Sequence, residues 1–591
     1  MPHARDLILS RQDLHFLLHD WLDVEALTTR PRFADHSRET VDAVLDLAAE
    51  IATEKFAPHN RRNDVEEPVF GGTDGVGRVE LHDEVAPALR AAAEAGLLSA
   101  TMDEAAGGLQ LPHVVGVAVQ AWFHAANVGT WAYAMLSVAN ANLLLALADP
   151  ALVERYVPPM LEGRMHGTMC LSEPQAGSSL ADITTRAEPA PDGTYRVTGT
   201  KMWISGGDHE LGENIVHLVL AKVPGGPAGV RGISLFLVPK ILPDGRRNDV
   251  ALAGVNHKMG YRGTVNTLLA FGESGGAVGH LVGAEGQGLA AMFLMMNEAR
   301  VGVGVGAGAA ALACTGYLKS LDYARSRPQG RPAGEKNPSS PMVPIVRHAD
   351  VRRMLLAQKS YAEGALALVL YCGLLVDEER TGPDPEEAHL LLETLTPIAK
   401  SWPSQWGLEA NALAIQVQGG YGYSREYDVE QHYRDNRLNA IHEGTHGIQA
   451  ADLLGRKVVM AGGAGFAALR NRIADTIGRA GADPATSAMS EQLQGALDRL
   501  VEVTAILHAH PDAEERLANA SVYLEAAGHV VVAWLWLDQV LAAAGRDDDL
   551  ARGKRAAARY FFRFELPRVM PQLDLLASLD RTTLDTDPAW L

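Results

Sequence analysis

Apolar residues recur at three and four positions from Arg38 to Ala57, at Val41, Val44, Leu45, Ala48, Ile51 and Ala52, and Pro58 follows them. That period predicts an amphipathic helix ending at the proline. Asn60 to Arg78 is charged and glycine-rich, and helical periodicity returns through Val85 to Leu98. Gly107-Gly108 and Pro112 then precede an uncharged run from Ala125 to Ala148, and Val153 to Leu161 adds a short helix. To about residue 165 the chain reads as helical.

The pattern then changes. Met169-Cys170-Leu171-Ser172, Tyr195 to Thr198, Lys201 to Ser205, Ile215 to Leu220 and Ile233 to Val238 are short runs rich in β-branched and aromatic residues. Turn sequences such as Pro191-Asp192-Gly193 and Pro224-Gly225-Gly226 separate them, which predicts a β domain ending near Gly288. Helical texture resumes at Leu289, is broken by the proline-rich loop Arg325 to Pro344, and runs to about Met460; a last helical region follows the glycine-rich Ala461 to Gly465. The expected fold is mostly α with a central β domain: an N-terminal α domain (1–165), a middle β domain (166–288), a C-terminal α bundle (289–460) and a helical extension (461–591). A β domain between two α domains offers a cleft at their junction, where cofactor sites concentrate.

At 591 residues the chain exceeds a single core, so several domains are expected. A net charge of −20 argues against nucleic acid and anionic membranes as partners. Cys170, Cys314 and Cys372 are far apart, with no disulfide or thiolate-metal spacing, which suits a reducing cytoplasm. The N-terminal residues carry no secretory pattern. Ala125–Ala148, with Asn127, Asn140 and Asn142, and Val301–Leu318, mostly glycine and alanine, read as buried helices and not as membrane spans.

Chemistry concentrates at Ile441-His442-Glu443-Gly444-Thr445-His446-Gly447-Ile448-Gln449. In one reading His442-Glu443-x-x-His446 is the helix of a zinc hydrolase; in the other, Glu443 is a base that takes a proton from carbon. The residues favour the base. Gly444, Thr445 and Gly447 are poor helix formers where the zinc helix must be rigid. The extended zinc motif would also need glycine and histidine where Gln449 and Asp452 stand.

Four other motifs stand out. Cys170 to Ser179 runs from strand into a loop offering backbone N–H groups and the hydroxyls of Ser172 and Ser178, suited to a ring edge or a phosphate, and equally to an ordinary turn. In Lys201 to Ser205, strand alternation puts Trp203 and Ser205 on one face, as a flat heterocycle or a sheet core would use them. Gly302-x-Gly304-x-Gly306-x-Gly308 follows a helical pattern and no strand, so close helix packing suits it better than dinucleotide binding. Gln416 to Tyr423 breaks a helix with Gly419, Gly420 and Gly422, which lets backbone approach a ligand.

Together these motifs resemble the acyl-CoA dehydrogenase family, over about residues 38–460. One signature is similar to Cys170–Ser179 and a second to Gln416–Asp435, with Glu443-Gly444-Thr445 following. Ser179 replaces the usual aspartate of the first, and Gln431 a basic residue of the second. The extension is similar to that of the long members acting on substrates such as methylthiopropionyl-CoA.

The resemblance implies FAD. Ser172 would bond the pyrimidine edge of the flavin with Met169 and Leu171 nearby; Trp203 would cover the ring and Ser205 approach N5. Arg327 and Gln329 match pyrophosphate contacts and, with Gln416, Gly419 and Gly420, serve the FAD of a neighbouring subunit. Thr445 and Gln449 match positions beside the adenosine part. A homo-oligomer is implied, a dimer before a tetramer. Ser178 falls with both cofactor and substrate contacts, Asn297 and Arg300 where the CoA arm is held, and Gly444 beside the substrate.

The implied reaction is α,β-dehydrogenation of an acyl-CoA thioester to a trans-2-enoyl-CoA. Glu443 would take the α-proton while hydride passes to flavin N5, with electron-transfer flavoprotein as acceptor. Relatives with their base one residue before the arginine have Ala299 there in this chain, which leaves the adjacent Glu298 as the rival. An oxidase passing electrons to oxygen is the alternative outcome of the same chemistry.

Overall fold

The β-branched runs between Met165 and Val282 pair as strands in the computed structural model, which describes residues 4–71, 78–300 and 304–591. The chain divides into two units. One is formed by Asp42–Leu111 and Trp122–Gly304, the other by Met1–Val41, Pro112–Ala121 and Val305–Leu591.

In the first unit a small hairpin, β1 (Val69–Gly71) and β2 (Arg78–Glu80), accompanies the main sheet. The main strands are β3 (Met165–Cys170), β4 (Arg186–Pro189), β5 (Tyr195–Ser205), β6 (Asn214–Lys222), β7 (Ile233–Pro239), β8 (Val250–Val255), β9 (Asn266–Phe271) and β10 (Ala277–Val282). The sheet closes on itself. β10 pairs β7 through His280–Val282 and β5 through Ala277–Gly279, while β6 and β4 complete the circuit. Val197, Ile204, Val219, Phe236 and Leu269 fill its interior. Closure leaves fewer free edges to protect.

The two runs expected at Tyr195–Thr198 and Lys201–Ser205 are one strand, β5, bridged by Gly199. Likewise Leu171 and Ser172 already lie beyond the end of β3. The first amphipathic helix spans Arg38–Ile51, and Pro58 does not end the helical path: it sits in a 3-10 turn, after which Asn60–Val65 is helical again.

The uncharged run lies in the helix His113–Leu147, which is broken at Asn127 (φ −164°, ψ 86°). Asn127 caps the second part, its Oδ1 accepting from Thr130 N at 3.0 Å while its Nδ2 donates to Phe56 O at 3.1 Å. Further along, Asn140 Nδ2 donates to Thr168 O and Val216 O. A Cβ on Gly167 would lie 2.5 Å from that of Asn140, so glycine is what lets helix and β3 touch. The helix Gly288–Arg300 packs on β7 and β6.

In the second unit, Val305–Ser326, Ala349–Thr381, Pro385–Gln418 and Val429–Asn439 form a bundle. The small residues of Val305–Gly316 are buried throughout, and a Cβ on Gly316 would strike Asn411 at 2.4 Å. Gly306 and Gly308 of the glycine pattern are buried within this helix; Gly302 lies outside the described residues. The extension contributes Ala464–Gly481, Ser487–Ala509, Ala520–Ala542 and Asp549–Tyr560. His113–Leu147, Ala349–Thr381 and Ala520–Ala542 are long and apolar enough to cross a membrane, and their apolar windows are 78%, 83% and 83% buried within the protein.

Candidate active site

The residues singled out in the sequence fall into two groups, one in each unit. In the sheet unit those of the Met169–Ser172 and Lys201–Ser205 runs gather around a bulge in β5. Pairing of β5 with β9 shifts register between Lys201 and Ile204, and Trp203 there has φ +65°. Simple alternation would give Lys201 and Trp203 the same burial. Instead Lys201 is 0% exposed and Trp203 59% exposed, because the extra residue of a bulge re-aims the side chain. Ser205 is half-buried, its Oγ accepting from Asn266 Nδ2 at 3.4 Å.

The bulge is tied to the end of β3. Met202 N donates to Ser172 O at 3.0 Å, and Lys201 Nζ donates to Leu171 O at 2.9 Å and Glu173 Oε1 at 3.0 Å. Glu173 also accepts from the N–H and hydroxyl of both Thr184 and Thr185. Burial alone would raise its pKa, but the Lys201 ammonium and the threonine donors prevail and hold it at about 2. Met169, Leu171 and Ser172 are half-buried at this junction, and Ser178 is exposed on the loop beyond it. Asn297 and Arg300 lie together on Gly288–Arg300: Arg300 Nη1 donates to Asn297 Oδ1 at 3.2 Å, and its guanidinium stands 5.5 Å from the Phe293 ring centre. The side chains of Glu298 and Ala299 lie outside the described residues.

In the bundle unit the centre is a turn. Val429–Asn439 has ended and His446–Gly455 has not begun when the chain passes through Glu443 at φ +55° and Gly444 at φ +89°. Gln449 Nε2 donates to Glu443 O at 3.0 Å, and Lys400 Nζ donates to Gly444 O at 2.6 Å. The φ of Gly444 favours glycine, and a Cβ there would lie 2.7 Å from Gln449 Nε2, so it would also displace the amide that bonds Glu443 O. Thr445 caps the following helix, its Oγ1 accepting from Ile448 N.

This geometry removes the zinc-helix reading. His442 and His446 stand on either side of a left-handed turn, not four apart on one helix face. Instead, His442 Nε2 bonds Asn439 Oδ1 at 3.1 Å.

Arg327 lies with its guanidinium 5.7 Å from the ring centre of Tyr421, which follows Gly419 and Gly420. Gly419 has φ +61°, and a Cβ on either glycine would meet open space. Gln329 is exposed with its N–H on Val343 O, and Gln416 is exposed in the last turn of its helix.

Family models match almost end to end: the acyl-CoA dehydrogenase N-terminal domain over residues 38–164, the middle domain over 168–273, the C-terminal domain over 286–458, and an acetyl-CoA dehydrogenase C-terminal-like domain over 469–587. The chain belongs to the acyl-CoA dehydrogenase family. The 3-methylmercaptopropionyl-CoA dehydrogenase of Ruegeria pomeroyi is 35% identical over 92% of this chain and 93% of its own. Two solved structures share the fold. One is Caenorhabditis elegans ACDH-11 in complex with C11-CoA (TM-score 0.81, 18% identity, 94% of this chain and 90% of that one). The other is a Bacillus anthracis acyl-CoA dehydrogenase complexed with FAD (TM-score 0.74, 19% identity, 95% and 94%). Acyl-CoA dehydrogenases are FAD flavoproteins.

Sequence reading of this acyl-CoA dehydrogenase passed over Lys201 with Glu173, Lys400, and Asn439. Lys400 had a signal: it is a lone cation between Ile398-Ala399 and Trp402 in an otherwise buried stripe. A buried charge needs a partner, and that partner, Gly444 O, is 44 residues away.

Proposed function

We propose that this acyl-CoA dehydrogenase oxidises the Cα–Cβ bond of an acyl-CoA thioester to a trans-2-enoyl-CoA, with Glu443 as the base that removes the α-proton. The observation that carries the assignment is the Glu443 turn, a carboxylate-bearing residue in left-handed backbone whose carbonyl and the next are each held by a buried side chain. Such restraint fits a group that must meet a reacting atom in one orientation.

The residues of the sheet unit fit FAD. An exposed indole on the bulge that carries Ser205 and whose backbone bonds Ser172 O offers a flat apolar face with hydroxyls on the same segment, which is what a flavin ring needs. FAD held there would supply the acceptor for the hydride that leaves the β-carbon. The α-proton of a thioester is weakly acidic, so the carbonyl oxygen must be polarised, and the Glu443 backbone N–H is assigned as one donor. Glu443 holds the proton it takes. Asn297 and Arg300 are assigned to the CoA arm. Arg327, Gln329, Gln416, Gly419 and Gly420 are assigned to the FAD of a second copy in a homodimer or tetramer, with electron-transfer flavoprotein as the acceptor.

The test is anaerobic titration of the holoenzyme with a panel of acyl-CoAs, following the visible flavin band, beside a Glu443→Gln variant. Bleaching by at least one thioester, slowed about 10²- to 10⁴-fold in the variant, is the expected result. Undiminished bleaching in Glu443→Gln would overturn the assignment of the base.

A further inference from the structure

The turn that carries Glu443 is held from three directions. On its entry side His442 Nε2 donates to Asn439 Oδ1, and a chain of buried amides continues from there. Asn439 Nδ2 donates to Asn436 Oδ1 at 3.0 Å, Asn436 Nδ2 to Asn411 Oδ1 at 2.8 Å, and Asn411 Nδ2 to Leu312 O at 2.9 Å. Behind it stands the Gln449 amide on the Glu443 carbonyl. The third support differs in kind, because it carries charge. Lys400 is 0% exposed and its ammonium bonds the Gly444 carbonyl, one peptide from the base.

The geometry points to Lys400 as a positioning residue for the reaction: its buried ammonium pins the Glu443-Gly444 turn and keeps the neighbouring carboxylate ionised, ready to take a proton. This rests on the reading of Glu443 as the base. Two physical arguments support it. Left-handed backbone at a non-glycine residue is disfavoured, so Glu443 stays there only while its surroundings impose it, and a charged donor holds a carbonyl more firmly than a neutral one. A positive charge taken out of water also acts over longer distances than the same charge in solvent.

The field of Lys400 is felt in this turn. His446, at the start of the following helix, has its pKa pushed down to about 4, first by burial, then by Lys400 and Arg437, with Glu525 opposing. Among the described residues, the charged groups that act on His446 are Lys400 from Pro385–Gln418, Arg437 from Val429–Asn439 and Glu525 from Ala520–Ala542. Lys400 is the one whose ammonium bonds the turn's own backbone.

The experiment is stopped-flow reduction of the holoenzyme flavin across pH, using the acyl-CoA that bleaches the wild type fastest. The variants are Lys400→Gln, a neutral donor, and Lys400→Arg, a charged one. Wild-type reduction should fall at low pH as the base is protonated. Lys400→Gln should move that limb up by about one to two pH units and slow reduction about 10- to 100-fold, with thioester affinity nearly unchanged; Lys400→Arg should leave the limb in place.

A Gln variant that holds FAD and keeps the wild-type limb overturns the inference, as does an Arg limb displaced as far as the Gln limb. If the Gln variant does not fold, Lys400→Arg decides alone, and a displaced limb overturns the inference. Glu443→Gln separates the two claims. If it reduces normally, the base assignment fails; if it is inactive while Lys400→Gln behaves as wild type, only the role of Lys400 fails.

Discussion

Trp203 is held at φ +65° with most of its indole in solvent, a conformation that costs a non-glycine residue about 1–2 kcal/mol. An exposed ring returns little of that through packing, so the arrangement makes sense as cover for a ligand. Trp203→Gly relieves that cost but frees the unfolded chain by a comparable amount, so it should leave the thermal midpoint of the apoprotein nearly unchanged and weaken FAD retention about tenfold or more, since stacking on a flat heterocycle contributes about 1–3 kcal/mol. Flavin release on ultrafiltration reads this directly, and unchanged retention would show that the indole does not cover the ring. Beneath it, Glu173 and Lys201 are 1% and 0% exposed at the side chain. Lys201→Met would strand a carboxylate in the interior and should cost about 3–5 kcal/mol in urea unfolding. The pH dependence has a definite sign. Because Glu173 is depressed from 4.5 to about 2, the unfolded chain binds the proton more readily, so the pair's contribution is complete above 4.5 and is lost as pH falls toward 2. Glu173→Gln should flatten that part of the stability curve. Of this layer, Ser172, Trp203 and Ser205 were legible as a motif, whereas Lys201 looked like any strand cation, because its carboxylate lies on another strand's loop.

At the scale of elements, the break in His113–Leu147 shows how one residue ends a helix and starts another. Asn127 leaves helical backbone, caps the segment that follows through Thr130 N, and occupies the Phe56 carbonyl. Alanine there removes both bonds inside the protein, so Asn127→Ala should destabilise by about 1–3 kcal/mol, a missing cap and an unsatisfied carbonyl together. Chemical denaturation checks it, and a change within 0.5 kcal/mol, the range of an ordinary surface substitution, would mean that the break is imposed by packing alone. In sequence, Asn127 was only a polar residue in an apolar run. Farther along, Asn140 bonds Thr168 O and Val216 O, so two of the asparagines that set this run apart from a membrane span, Asn127 and Asn140, have specific partners. Periodicity recovered the long elements, including Ile215–Leu220 and Ile233–Val238 nearly as observed. It missed β4 and β8 to β10: a glycine interrupts β8 and β10, and pairing with distant strands decides the backbone of β9 and β10.

At the scale of the whole bundle unit, the extension behaves as part of the core. Ala520–Ala542 is buried on nearly every side. Trp536 Nε1 donates to Ser360 O at 3.1 Å, and a Cβ on Gly528 would lie 2.6 Å from the Trp402 ring. The N-terminal turns join the same core, with Thr315 Oγ1 on Ile8 O and Trp21 Nε1 on Asp538 Oδ2. Their meeting point is a buried charge network: Lys554 of the extension pairs with Asp13 of the N-terminal segment and, at 3.0 Å, with Glu363 of the bundle, which also pairs with Lys359. None of this could be read from local pattern, since the partners are separated by hundreds of residues and the glycine-rich 461–465 looks like a linker. The consequence is testable by truncation. Ending the chain at Gly463 removes Lys554 from a balanced network of two carboxylates and two ammoniums, and breaking such a set costs about 3–5 kcal/mol. It also uncovers the Trp402 face and the Ser360–Gly364 face of the bundle, on which Gly528, Val532 and Trp536 pack. Because a typical domain is stable by only about 5–15 kcal/mol, the truncated chain should be recovered as aggregate without bound flavin. Lys554→Met, which removes the charge but keeps the helix, should remain soluble with a lowered unfolding midpoint. A truncated protein that is soluble, yellow and cooperative in unfolding would show instead that residues 4–463 hold their own core.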